Sequence, residues 1–104
     1  MKKQKLDFIF PGTILYEEFM EPLGISAYKL SKDIKVQQTA IGQIIKGSRK
    51  ITVDIALRLS RYFENSPQFW LNLQNFYDLE LALEKKENFI NEIAPFRKEI
   101  KSVA

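Results

Sequence analysis

Apolar residues recur at helical spacing along most of this 104-residue chain, and no stretch alternates with the period of two that a half-buried strand shows. The pattern predicts an all-α fold of five helices. The first starts after Pro11 and Gly12 and stops near Pro22 to Gly24. It carries Glu17 and Glu18 in its early turns, where the positive end of the helix dipole favours acids, and turns Ile14, Leu15 and Phe19 to the core. Ser26 is a natural N-cap for the second helix, which ends near Lys35; the third runs from about Gln38 to Lys46, with Gly47 as its stop. Thr52 caps a fourth helix reaching about Phe63. In the fifth, Ser66 is the N-cap and Pro67 takes the first helical position, where its missing N–H costs nothing. The Asn65 region reads as a tight connection, and there is no internal repeat or low-complexity tract.

Within this pattern, Ser26 to Gly47 has the spacing of a helix-turn-helix, whose second helix is shaped to enter the major groove of DNA. Leu30, Ile34, Val36, Ile41 and Ile44 fall where two short helices crossing steeply bury a shared corner, and Ser31 is small enough to let them approach. The turn position commonly filled by Gly is Lys35, which must adopt a left-handed conformation if the turn has its usual geometry. Apolar spacing alone also fits a plain helical bundle.

Charge sharpens the choice. The chain carries a net charge of +3, but residues 26 to 50 hold Lys29, Lys32, Lys35, Lys46, Arg49 and Lys50 against Asp33 alone, leaving the rest slightly acidic. A basic excess centred on the motif is the footprint of a phosphate-facing surface, although charge runs in small proteins are commonly just solvated faces. The absence of Cys and His removes disulfides, thiol nucleophiles, imidazole bases and almost every zinc arrangement; no cofactor or metal is expected. Glu17 and Glu18 are adjacent on a helix, point about 100° apart and cannot flank one substrate. An enzyme is not expected. No apolar run approaches the roughly 20 residues needed to span a bilayer, and MKKQK followed by LDFIFPG is too short and aromatic for a signal-peptide core, so a cytoplasmic protein is expected.

If the third helix lies in the groove, its outer face near the N-terminal end has first access to base edges: Gln37, Gln38, Thr39, Gly42 and Gln43. Gln matches the paired acceptor and donor of adenine, and a Thr methyl packs on that of thymine. Gly42 either lets backbone approach the DNA closely or marks close helix packing. Phosphate contacts are assigned to Ser26 and Tyr28 at the start of the second helix and to Lys46, Ser48, Arg49 and Lys50 beyond the third.

The fifth helix, SPQFWLNLQNFYDLELALE, carries more apolar surface than one core needs. At 100° per residue, Leu79, Leu83, Phe76, Phe69, Leu73, Tyr77, Trp70 and Leu81 cover an arc of about 200°, against a stripe of about 100° for a helix lying on one core. The excess points to a homodimer through Phe69, Trp70, Leu73, Phe76 and Tyr77. The alternative is an intramolecular core covered by the tail residues Phe89, Ile90, Ile93 and Phe96. A dimer would present two recognition helices to half-sites about 34 Å apart on a palindromic double-stranded operator.

The run PGTILYEEFMEPLGIS, the helix-turn-helix, GSRKITVDIALRLSRYF and then SPQFWLNLQNFYDLE resemble the HigA/VapI-type antitoxins of bacterial toxin–antitoxin modules, within the wider XRE-like class. The resemblance covers Pro11 to about Leu83, and SPQFWLNLQ followed by YDLE is its most specific part. It implies a small five-helix, lambda-repressor-like, dimeric DNA-binding protein without catalytic activity. Such a protein represses its own operon and neutralises a cognate toxin, usually a ribosome-dependent mRNA endonuclease of the HigB/RelE-like type. It also implies a recognition helix at Gln38 through Lys46, a phosphate-contacting loop at Ser48, Arg49 and Lys50, and a dimer helix from Pro67 through Leu83. Phe10 stands where the family often has His before Pro-Gly. The alternative is a free-standing XRE-type regulator with no toxin partner. The expected organisation is an N-terminal arm over 1–10, a helix-turn-helix domain with its dimerising helix over 11–83, and a tail or helix over 84–104. The basic start MKKQK is expected to be disordered.

Overall fold

Three of the expected N-caps make their hydrogen bonds. Ser26 Oγ accepts from the Lys29 amide at 3.0 Å, Thr52 Oγ1 from Ile55 at 3.3 Å and Ser66 Oγ from Phe69 at 3.1 Å, each satisfying a backbone donor that the first helical turn leaves orphaned. They open α2 (Ala27–Ile34), α4 (Val53–Phe63) and α5 (Pro67–Asn91); α3 (Gln38–Lys46) and α1, over residues 11–23, complete the fold. The computed structural model describes residues 9–97, and no strand occurs among them. The basic start MKKQK and the end of the tail, residues 98–104, lie outside the described residues.

Helix α1 departs from regular α geometry. Its middle, Leu15–Met20, is π-helical, with the Glu21 amide donating to the Tyr16 carbonyl five residues back. A π turn stacks residues i and i+5, so Leu15 and Met20 both face inward and both are fully buried. Ile14, expected in the core, is therefore only half-buried, and Met20 takes the place that regular 3.6-residue spacing would have denied it.

The core joins these two side chains to Leu30, Ile34, Ile41, Ile44, Ile51, Leu59 and Trp70. All five apolar positions of the helix-turn-helix reading lie in or against it, with Val36 partly buried. Ser31 is buried at the crossing and donates its hydroxyl hydrogen to the Tyr28 carbonyl at 2.7 Å. Gly12 is fixed by a close approach: a Cβ there would sit 1.9 Å from the Ile44 carbonyl oxygen, so only glycine lets α1 touch the end of α3.

Helix α5 corrects the expected pairing surface. Trp70 is 0% exposed, tilted against Phe19 at 4.9 Å and edge-on to Phe69 at 4.9 Å, and its indole N–H donates to Asn65 Oδ1 at 2.9 Å. It is a core residue, because the side of α5 that carries it packs on α4 and α1. Leu73 is half-buried against the same core, and Tyr77 is half-buried with its ring edge-on to Phe10 at 5.1 Å. Of the five residues assigned to a partner, only Phe69 and Phe76 are exposed, Phe76 at 59%. The covering tail is not seen either: Phe89, Ile90, Ile93 and Phe96 are themselves exposed. What remains open to solvent is a narrower stripe of Phe69, Phe76, Leu79, Leu83 and Ile90, and α5 continues without a break past residue 83 to Asn91.

Candidate nucleic-acid interface

The turn between α2 and α3 sets the angle at which α3 is presented. Lys35 has φ 62° and ψ 49°, the left-handed conformation expected of it, and the Val36 amide donates to the Ser31 carbonyl at 3.0 Å to close the helix end. A side chain that periodicity did not single out holds this turn. Arg58 Nη1 on α4 donates to the carbonyls of Ile34 at 2.8 Å and Lys35 at 3.1 Å, while its Nε donates to Asp54 Oδ2 at 3.0 Å. The Asp54–Arg58 pair was legible as an i,i+4 pair, but its reach to a carbonyl 24 residues away was not. Beside it, Asp33 accepts from the Tyr62 hydroxyl and pairs with Lys29 Nζ at 3.0 Å. The Tyr62 hydrogen bond first, and Lys29 second, hold the Asp33 carboxyl below its ordinary value of 3.8; the same contacts raise Tyr62 and Lys29.

On α3, Gln37, Gln38 and Thr39 are exposed, and Gly42 and Gln43 are half-exposed. Gln37 is the N-cap, in extended conformation and without a side-chain cap bond. A Cβ on Gly42 would meet no atom within 4 Å, so this glycine does not mark close helix packing. Ser26 and Tyr28 are exposed on the first turn of α2, with Lys32 Nζ 5.4 Å above the Tyr28 ring.

The loop after α3 folds back on Gln43. Gly47 ends the helix at φ 87° against the Phe10 ring, which a Cβ at this position would strike at 2.8 Å. The Ser48 amide donates to the Gln43 carbonyl at 2.9 Å, and Arg49 Nε donates to Gln43 Oε1 at 2.8 Å. Lys46, Ser48, Arg49 and Lys50 are all exposed. Lys50 does not stand alone with its charge: its Nζ lies 3.2 Å from Asp78 Oδ2 on α5. Asp78 Oδ1 accepts from Gln74 Nε2 at 3.0 Å, and the buried Gln74 Oε1 accepts from the Ile51 amide at 2.8 Å. Gln74, unremarked in the sequence because it lies within an aromatic stripe, thereby anchors the end of the basic loop to α5.

This arrangement is a rigid two-helix corner carrying amide and hydroxyl side chains on one helix and guanidinium, ammonium and hydroxyl groups on the loop beside it. Such a surface can hydrogen-bond base edges and neutralise phosphates. Among the described residues no group of acids could hold a metal ion.

The chain is similar to proteins of the same organisation. Residues 17–70, just over half of its length, match the helix-turn-helix family. Virulence-associated protein I of Dichelobacter nodosus is 43% identical over 101 residues, 97% of this chain and 93% of that protein. The addiction module antidote protein of the HigA family from Coxiella burnetii superposes with a TM-score of 0.80 at 40% identity, over 86% of this chain and 98% of that one. The Pseudomonas aeruginosa antitoxin HigA, solved with the higBA promoter, gives a TM-score of 0.81 at 40% identity, over 85% and 97%. The chain belongs to the HigA/VapI-type antitoxin family.

HigA/VapI-type proteins are non-enzymatic helix-turn-helix DNA-binding regulators of the XRE-like class. In this member of the HigA/VapI family, Phe10 packs between Gly47 and Tyr77, so the residue preceding Pro-Gly braces the basic loop against α5. No helix among the described residues is long and apolar enough to cross a membrane.

Proposed function

We propose that this protein is an autorepressing antitoxin. A homodimer formed through α5 presents two copies of α3 to the half-sites of a palindromic operator upstream of its own operon, and the same protein binds and neutralises a HigB/RelE-like mRNA endonuclease toxin in the cytoplasm. Residues 11–83 form the DNA-binding and dimerising unit, preceded by an arm over 1–10 and followed by the remainder of α5 and a tail over 84–104.

The observation that carries the DNA-binding part is the exposed polar face of α3 beside a basic loop, on a scaffold superposing at 0.81 on an antitoxin solved with its promoter. Gln38, Thr39 and Gln43 read bases in this scheme, with Gln37 at the helix entry and Gly42 allowing close approach. Ser26, Tyr28, Lys46, Ser48, Arg49 and Lys50 contact phosphates. Dimerisation is supported by the exposed apolar stripe of Phe76, Leu79, Leu83 and Ile90, with Phe69 at its partly covered end against Phe19 and Trp70.

Co-expression with the adjacent gene tests the toxin-directed half. Growth arrest by the neighbouring product alone, relieved when this chain is co-expressed, is the expected result. Arrest that persists, or the absence of a toxic neighbour, would leave a free-standing regulator.

A further inference from the structure

Gln43 differs from the other amides on the face of α3 in having its side chain held. Its Oε1 accepts from Arg49 Nε at 2.8 Å, while its own carbonyl accepts from the Ser48 amide at 2.9 Å and from the Ser48 hydroxyl at 3.4 Å. Arg49 is thus carried by a loop pinned to the residue it contacts. Guanidinium nitrogens only donate, so an N–H of Arg49 meets the oxygen end of the amide and never the nitrogen end. A terminal amide torsion is otherwise broad and roughly two-fold, and a free glutamine can exchange its donor and acceptor ends at little cost.

We propose that Arg49 is a positioning residue for sequence readout: it locks the Gln43 amide in one of its two orientations and so fixes the order of donor and acceptor that Gln43 offers to a base pair. Among the described residues nothing is hydrogen-bonded to Gln43 Nε2, so the donor end is free to read an acceptor on a base edge. The terminal Nη groups of Arg49 are likewise available to a phosphate, which makes the side chain a strap from backbone to base through Gln43. Adenine in the major groove offers an acceptor beside a donor, while guanine offers two acceptors. A locked amide distinguishes the two, and one free to turn over does so less. Lysine at this position would keep the charge but lose the planar fork that serves two partners at once.

This inference rests on the reading of α3 as the base-contacting helix, and the test separates the two. The full-length protein, Arg49→Lys, Gln43→Ala and the double variant are used to select sequences from a randomised duplex library. Each is then titrated on the sequence the wild type selects, on its single-base-pair variants and on scrambled duplex. Circular dichroism establishes that all are folded. Gln43→Ala should erase a preference of at least about fivefold at one base pair. Arg49→Lys should reduce the preference at that same pair to about twofold or less, and the double variant should lose nothing more there, as expected for residues acting as one unit. The salt slope should stay as in the wild type, because the charge is retained. The preference is read as a ratio between the selected sequence and its single-base-pair variants, so a uniform change from altered phosphate contact cancels. If Arg49→Lys keeps the full preference at that pair, whether or not binding to every sequence falls alike, Arg49 serves the phosphates and not Gln43, and the positioning role is overturned while base reading by α3 stands. If the wild type enriches no sequence from the library, both fall.

Discussion

Lys35 occupies a conformation that L side chains with a Cβ adopt at a cost, and it does so because the turn of a helix-turn-helix leaves no alternative at that position. Arg58 offsets part of that cost by capping the carbonyls of the turn. Lys35→Gly should therefore raise stability by about 0.5–1 kcal/mol, read as a higher urea midpoint at unchanged slope; a lower midpoint would mean that the lysine makes contacts worth more than its strain. Trp70→Ala belongs to the other extreme. A fully buried ring with a bonded N–H should cost about 3–5 kcal/mol, enough to unfold a small domain. A folded Trp70→Ala protein with wild-type stability and half the mass would return Trp70 to the interface. Asp33 supplies a pH dependence: its folded carboxyl titrates below the unfolded value, so its contribution is fully present above the unfolded value and is lost as pH falls from there through the lower folded value. The stability advantage of the wild type over Asp33→Asn should shrink on acidification from about pH 5 to pH 3. An advantage independent of pH would show that the Tyr62 and Lys29 contacts do not favour the charged form.

At the scale of elements, the helices were legible because their ends are marked by local chemistry. Ser26, Thr52 and Ser66 cap as their positions imply, Gly47 stops α3 with positive φ, and Pro67 opens α5. The candidate surface was legible for the same reason: polar residues between the apolar positions of α3 have nowhere to go but outward. What escaped the sequence was non-local or non-standard. The π turn of α1 shifts the register of its buried face, and nothing in PGTILYEEFMEPLG signals an i+5 bond rather than i+4. Trp70 and Phe76 belong to one continuous apolar arc, so spacing alone could not say where the core ends and the free stripe begins. The links from Arg58 to the turn and from Gln74 to Ile51 cross 24 and 23 residues. Gln74→Ala should test the second: it leaves the buried Ile51 amide without its acceptor and should cost about 1–3 kcal/mol in urea unfolding. No loss would show the loop end to be held by other contacts.

At the scale of the whole molecule, α5 separates into a half that packs on the domain and a half that leaves it. Among the described apolar residues beyond Tyr77, only Leu81 remains half-buried on the domain side; Leu79 is 56% exposed, and the exposed stripe runs on through Leu83 to Ile90. A second copy is the simplest cover for such a stripe, and two-fold symmetry would set a pair of α3 helices against successive turns of one face of the duplex. Phe76→Glu combined with Leu83→Glu should leave the helical signal intact, halve the mass in sedimentation and weaken operator binding. Unchanged mass would assign the stripe to another partner. Because the basic loop is tied to α5 through Lys50–Asp78 and Gln74–Ile51, the two surfaces share one rigid element. The most direct test of a sequence-reading regulator is a titration of the purified protein on DNA from just upstream of its own gene, against scrambled DNA at physiological salt. Binding of the upstream DNA about 10³-fold or more tighter than the scrambled DNA is expected; equal, weak binding to both would contradict it.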